Sequence, residues 1–113
     1  MIDVFVSPTF ERQVKALKKR YKNIGKDIDE FVSKPLKSGQ VIGEQVQGVG
    51  YAVFKVRVPN RDAKRGKRGG YRIVYYLKAR TTAVLLAVYA KSDQVDITAS
   101  DIRAIIESFE RQN

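Results

Sequence analysis

The sequence has no cysteine, no histidine and no tryptophan, and its 113 residues include only three prolines and one methionine. Without cysteine there is no disulfide framework. Without histidine as well, the usual ligands of zinc, haem iron and iron-sulfur clusters are missing, so neither a metal nor a cofactor is expected. The chemistry is left to Lys, Arg, Tyr, Asp, Glu and backbone groups. No apolar run is long enough to span a membrane, and the start at Met1 with an acid at Asp3 does not read as a signal peptide. The expected location is cytoplasmic, with no membrane partner.

What the chain does have is positive charge: 22 Lys and Arg against 12 Asp and Glu, a net charge of +10. On a chain long enough for one core and one domain, residues 1–113, such an excess points first to nucleic acid. An anionic membrane or an acidic protein is a weaker alternative.

Along the chain, Ile2 to Val6 read as a short strand. Ser7 followed by Pro8 supplies an N-cap oxygen and a first helical residue whose missing N–H is harmless, so a helix is expected to about Tyr21, with Phe10, Val14, Leu17 and Tyr21 on its apolar stripe. After the break at Asn23 to Gly25 a second helix is expected, with Asp27, Asp29 and Glu30 in its first turns and Ile28, Phe31 and Val32 buried, ending at Pro35. The two form a helical hairpin on one face of a sheet. A short edge strand is expected near Val41 to Val46, then a two-faced strand from Tyr51, with Ala52, Phe54, Val56 and Val58 on one side and Tyr51, Val53, Lys55 and Arg57 on the other. A basic loop, Pro59 to Gly70, leads to strands Tyr71 to Lys78 and Ala83 to Lys91. Pairing Lys78 with Ala83 sets Tyr75 opposite Leu86, Ile73 opposite Val88 and Arg72 opposite Tyr89, provided no bulge intervenes. Thr98 caps a closing helix from Ala99 with Ile102, Ile105, Ile106 and Phe109 as its stripe. The fold class is α+β: an N-terminal strand and helical hairpin packed on an antiparallel sheet of four to five strands, with a C-terminal helix.

In such a meander the end of the first long strand, the start of the second and the end of the third meet at one edge. Lys55, Arg57, Arg72 and Lys91 then gather there, beside Tyr89. RNA cleavage by transesterification needs a base for the 2′-OH, charge to stabilise the phosphorane and an acid for the leaving 5′-oxygen. Crowding among cations disfavours a charged ammonium, which suits Lys55 or Lys91 to the role of base. Arginine forks onto phosphate oxygens, which suits Arg57 and Arg72 to charge stabilisation. Tyr89 can stack on a base or donate its proton. A surface that only holds RNA or an acidic protein is the alternative, and composition does not separate the two. Asp93, Asp96 and Asp101 are explained by a turn and a helix start.

The phrases Phe54-Lys55-Val56-Arg57-Val58, Gly66-Lys67-Arg68-Gly69-Gly70-Tyr71-Arg72-Ile73-Val74-Tyr75-Tyr76 and Leu86-Ala87-Val88-Tyr89-Ala90-Lys91-Ser92-Asp93, in this order of elements, resemble the RelE/ParE superfamily of bacterial toxins, most of all its HigB branch. The resemblance implies a RelE-like microbial RNase fold and a metal-independent endoribonuclease that cuts translated messenger RNA in the ribosomal A site. Its implied partners are the ribosome, messenger RNA and a cognate antitoxin, a helix-turn-helix protein. Carried onto this chain, the strand cation is Lys55 or Arg57, the strand arginine Arg72 and the last cation Lys91. Where many members place a tyrosine shortly after that last cation, this chain has Ile97, so a tyrosine-dependent step falls to Tyr89 or Tyr76. Arg61, Lys64, Arg65, Lys67 and Arg68 are assigned to RNA or ribosome binding. ParE-type toxins, which poison DNA gyrase, share the scaffold, so an RNase is not the only function the resemblance allows.

Overall fold

Ser7 and Pro8 begin the first helix as their chemistry dictates: the Ser7 hydroxyl accepts the Phe10 amide at 3.0 Å, and Pro8 takes the first helical position. The computed structural model describes residues 1–62 and 70–112. Its elements are β1 (Asp3–Val6), α1 (Pro8–Lys18), α2 (Ile24–Ile28), a π-helical turn (Asp29–Ser33), α3 (Lys34–Lys37), β2 (Glu44–Val46), β3 (Val53–Val58), β4 (Tyr71–Ala79), β5 (Thr82–Ala90) and α4 (Ala99–Gln112). The expected α+β architecture is present.

The sheet order is β1-β5-β4-β3-β2. The four later strands pair antiparallel, and β1 joins β5 in parallel, which makes the sheet mixed. α1, α2, the π turn and α3 cover one face over Phe10, Leu17, Ile28, Val32, Val56, Ile73 and Tyr75. α4 covers part of the other, over Val53, Val74, Tyr76, Val84 and Leu86. Thr98 caps α4 by accepting the Asp101 amide at 3.0 Å, and Ile97 packs in the same cluster as Ile102, as expected of a staple.

Three expectations are corrected. α1 ends at Lys18, short of Tyr21, although Tyr21 still packs on the first core. Pro35 does not stop the second helical stretch, which continues to Lys37. The reason is the wide turn just before it: the Lys34 amide bonds back five residues to Asp29, which opens the backbone where the proline ring would otherwise press on the carbonyl four residues behind. Finally, Tyr75 pairs with Leu85 and not with Leu86, because a bulge falls between Val74 and Tyr75. Arg72 opposite Tyr89 and Ile73 opposite Val88 survive it, but Leu86 moves to the face under α4. The bulge is anchored from α1, where the Ser7 hydroxyl donates to the Leu86 carbonyl at 2.8 Å and Gln13 accepts the Val88 amide at 2.8 Å.

Candidate active site

Alternation along β3 and β4 puts Lys55, Arg57 and Arg72 on the same face as Val53, Val74 and Tyr76. α4 lies over the apolar end of that face and leaves the basic end uncovered. There the chain forms a cleft of about 600 Å³ lined by Lys55, Arg57, Arg72, Tyr89, Lys91, Glu44, Val95 and Asp96. Arg57 faces Arg72 across β3 and β4, and Arg72 faces Tyr89 across β4 and β5, so three of these side chains form a row across the strands. On the Lys55 side the cleft is close-packed at Gly43, whose φ is +88° and where a Cβ would stand 2.5 Å from the Lys55 carbonyl oxygen.

All five residues assigned to catalysis from the sequence thus line one cleft. The sequence reading missed its two carboxylates, Glu44 and Asp96. Glu44 is the register partner of Lys55 on β2. Asp96 Oδ1 takes three donors: the Lys55 ammonium in an ion pair, the Ile97 amide at 2.8 Å and the Tyr89 hydroxyl at 3.4 Å. A helix start does not account for Asp96, because Thr98 fills the cap, and this surplus carboxylate is the signal the sequence offers. The Lys55 hydrogen bond holds the Asp96 carboxyl below the usual carboxylate range, with help from the Ile97 amide. Burial and then the neighbouring Asp96 charge push the Tyr89 hydroxyl up, while Arg72 pulls it partly back. Lys55 is therefore held against a carboxylate, not among cations alone. Lys91 donates to the Val95 carbonyl at 3.0 Å, and Arg72 donates to the Tyr71 carbonyl at 3.3 Å.

Tyr76, the other tyrosine considered, lies outside the cleft: it is buried under α4 and donates to Glu110. Arg61 also lies elsewhere. Its Nε reaches the fully buried Asp27 carboxylate at 2.6 Å, its other arm pairs with Glu30, and its guanidinium lies 5.5 Å from the centre of the Phe31 ring. Beside it Asp62 accepts the Asn23 amide at 2.7 Å and the Asn23 side chain at 2.8 Å. The root of the basic loop is thus bound to the helical layer, and Asp27 is an ion-pair partner more than a helix-dipole residue. Lys64, Arg65, Lys67 and Arg68 lie outside the described residues.

Among the described residues no helix is long and apolar enough to cross a membrane. None of their acidic side chains form a group of three or more placed to hold a metal ion. Residues 4–110 match the family model described as the RelE toxin of the RelE / RelB toxin-antitoxin system. With nearly the whole chain matched and the five-stranded sheet in place, the protein belongs to the RelE toxin family, the toxin half of toxin-antitoxin pairs.

Proposed function

We propose that this toxin, of HigB-like type, is a ribosome-dependent endoribonuclease that cleaves translated messenger RNA in the A site and so stops translation in the cytoplasm. The observation that carries the reading is the convergence of Lys55, Arg57, Arg72, Lys91 and Tyr89 in one cleft on the sheet face beyond α4. In this reading the 2′-oxygen forms a bond to the adjacent phosphorus and the bond from phosphorus to the 5′-oxygen breaks. Arg57 and Arg72 fork onto the non-bridging oxygens, where charge grows in the transition state. Lys55 or Lys91, in its neutral amine form, takes the 2′-OH proton and becomes the ammonium. Tyr89 is given the acid role because its hydroxyl lies in the cleft beside Asp96 and, as a phenol, carries a proton at neutral pH to give the 5′-oxygen. Neither a metal nor a cofactor has a part.

The cations of the basic loop, Lys64, Arg65, Lys67 and Arg68, serve as a ribosome anchor in this scheme. Arg61, with both arms on carboxylates, holds the loop's root. The partner that silences the toxin is a cognate antitoxin, proposed to be a helix-turn-helix protein. The test is incubation of the purified protein with message alone and with programmed ribosomes. New 5′ ends inside the A-site codon, only when ribosomes are present, support the reading. Intact message together with inhibited DNA gyrase would move the protein to the ParE type.

A further inference from the structure

We propose that Asp96 is a built-in counter-ion which occupies the phosphate position of the cleft and has to be displaced by the substrate. This rests on the ribonuclease reading of the same cleft. A single oxygen, Oδ1, accepts from an ammonium, a hydroxyl and a backbone amide. Those are the donor types that an oxygen of a bound phosphodiester would use, and Arg57, Arg72 and Lys91 line the same space. Carboxylate and phosphate therefore compete for Lys55 and Tyr89.

The segment that carries Asp96 is built to leave. Between Lys91 and Thr98 the backbone makes neither helix nor strand, Val95 is 78% exposed, and the Asp96 side chain is 61% exposed. Up to Asp96 the side-chain contacts within the segment are polar, Lys91 Nζ to the Val95 carbonyl at 3.0 Å and Gln94 Nε2 to the Asp96 carbonyl at 3.0 Å, and Ile97 beyond it packs under α4. Its ends are held from outside, by the Arg20 pair with Asp93 and by the Thr98 cap of α4. Displacing residues 94–96, between the Arg20 pair and the Ile97 staple, uncovers little apolar surface and releases Lys55 and Lys91 together. The isolated toxin consequently binds single-stranded nucleic acid more weakly than its net charge of +10 alone provides.

The test is the affinity of the isolated protein for a fluorescein-labelled 2′-deoxy hexanucleotide, which has phosphates but no 2′-OH to react, at low salt. Asp96→Asn keeps an acceptor for the Ile97 amide and should bind about fivefold tighter, the scale of an exposed ion pair. Asp96→Ser, a smaller side chain that also keeps an acceptor, should repeat the gain. Asp93→Asn changes the net charge equally but sits on Arg20, and should move the affinity by less than about twofold. Equal gains from both positions would reduce the effect to bulk charge, and no gain, or no measurable binding by any of the proteins, overturns the proposal. Cleavage on ribosomes by the unaltered protein is scored separately: its presence without an Asp96→Asn gain rejects the counter-ion alone, and its absence rejects the ribonuclease reading.

Discussion

Arg57 and Arg72 are register partners on adjacent antiparallel strands, two guanidinium side chains on one face in the wall of one cleft. Like charges directly opposite each other weaken a sheet, so the pairing is expected to cost stability. Arg57→Thr, which restores a strand-favouring neutral neighbour, should raise stability by about 0.5 kcal/mol in chemical denaturation while lowering cleavage. A less stable Arg57→Thr protein would show that the pair is not a cost.

Arg72 lines the cleft, and the proposed function sets it against the scissile phosphate. Losing one charge-assisted contact to a transition state removes about 3 kcal/mol, or roughly a hundredfold in rate. Arg72→Ala should retain its circular dichroism spectrum and lose about that factor in single-turnover cleavage on ribosomes. Undiminished cleavage by the folded variant takes Arg72 out of the site.

Ser7 serves two structures at once, capping α1 and holding the carbonyl of the bulged Leu86. Ser7→Ala removes the cap and leaves a buried carbonyl without its donor, at a combined cost of about 2 kcal/mol. Urea denaturation checks this. Ser7→Thr, which keeps the hydroxyl, should recover most of the loss.

The pH dependence of stability has two limbs. Burial pushes up the hydroxyls of Tyr71, Tyr75, Tyr76 and Tyr89, so the stability they confer is whole below the unfolded tyrosine value of about 10 and is lost as pH rises beyond it. Hydrogen bonds from Lys55, the Asn23 amide and Tyr76 hold Asp96, Asp62 and Glu110 low, so their contribution is present above the ordinary carboxylate range and is lost as pH falls through their depressed values. Melting temperature should be flat from about pH 5 to about pH 9 and fall on both sides. Tyr71, fully buried and without a hydrogen-bond partner for its hydroxyl among the described residues, offers the cleanest variant. Tyr71→Phe should leave stability at neutral pH intact and soften the alkaline fall.

Strand alternation made most of the site legible in the sequence. The period of two put Lys55, Arg57 and Arg72 on one face, and the short turn between β4 and β5 brought Tyr89 opposite Arg72. The bulge at Leu86 was not legible, since its carbonyl and the Val88 amide find their partners in Ser7 and Gln13, roughly eighty residues away in sequence. Pro35 misled for a related reason, because a π turn is a change of hydrogen-bond register that leaves the apolar pattern almost unaltered. Asp96 and Arg61 were visible as charges, but their partners Lys55 and Asp27 lie 41 and 34 residues away, and only the tertiary fold pairs them.

In the proposed function the basic segment serves binding and the cleft serves chemistry. Replacing Lys64, Arg65, Lys67 and Arg68 by Ser should weaken ribosome binding and flatten its salt dependence, with single-turnover cleavage at saturating ribosome near normal. Normal binding with abolished saturated cleavage would put the loop in the active site.

The most direct measurement is induction of the toxin in cells followed by primer extension on translated and untranslated copies of the same message. Ribosome-dependent cleavage gives discrete new 5′ ends within codons of the translated copy, none on the untranslated copy, and a loss of those ends with Arg72→Ala. Growth arrest with both messages intact, or equal cutting of both, contradicts it.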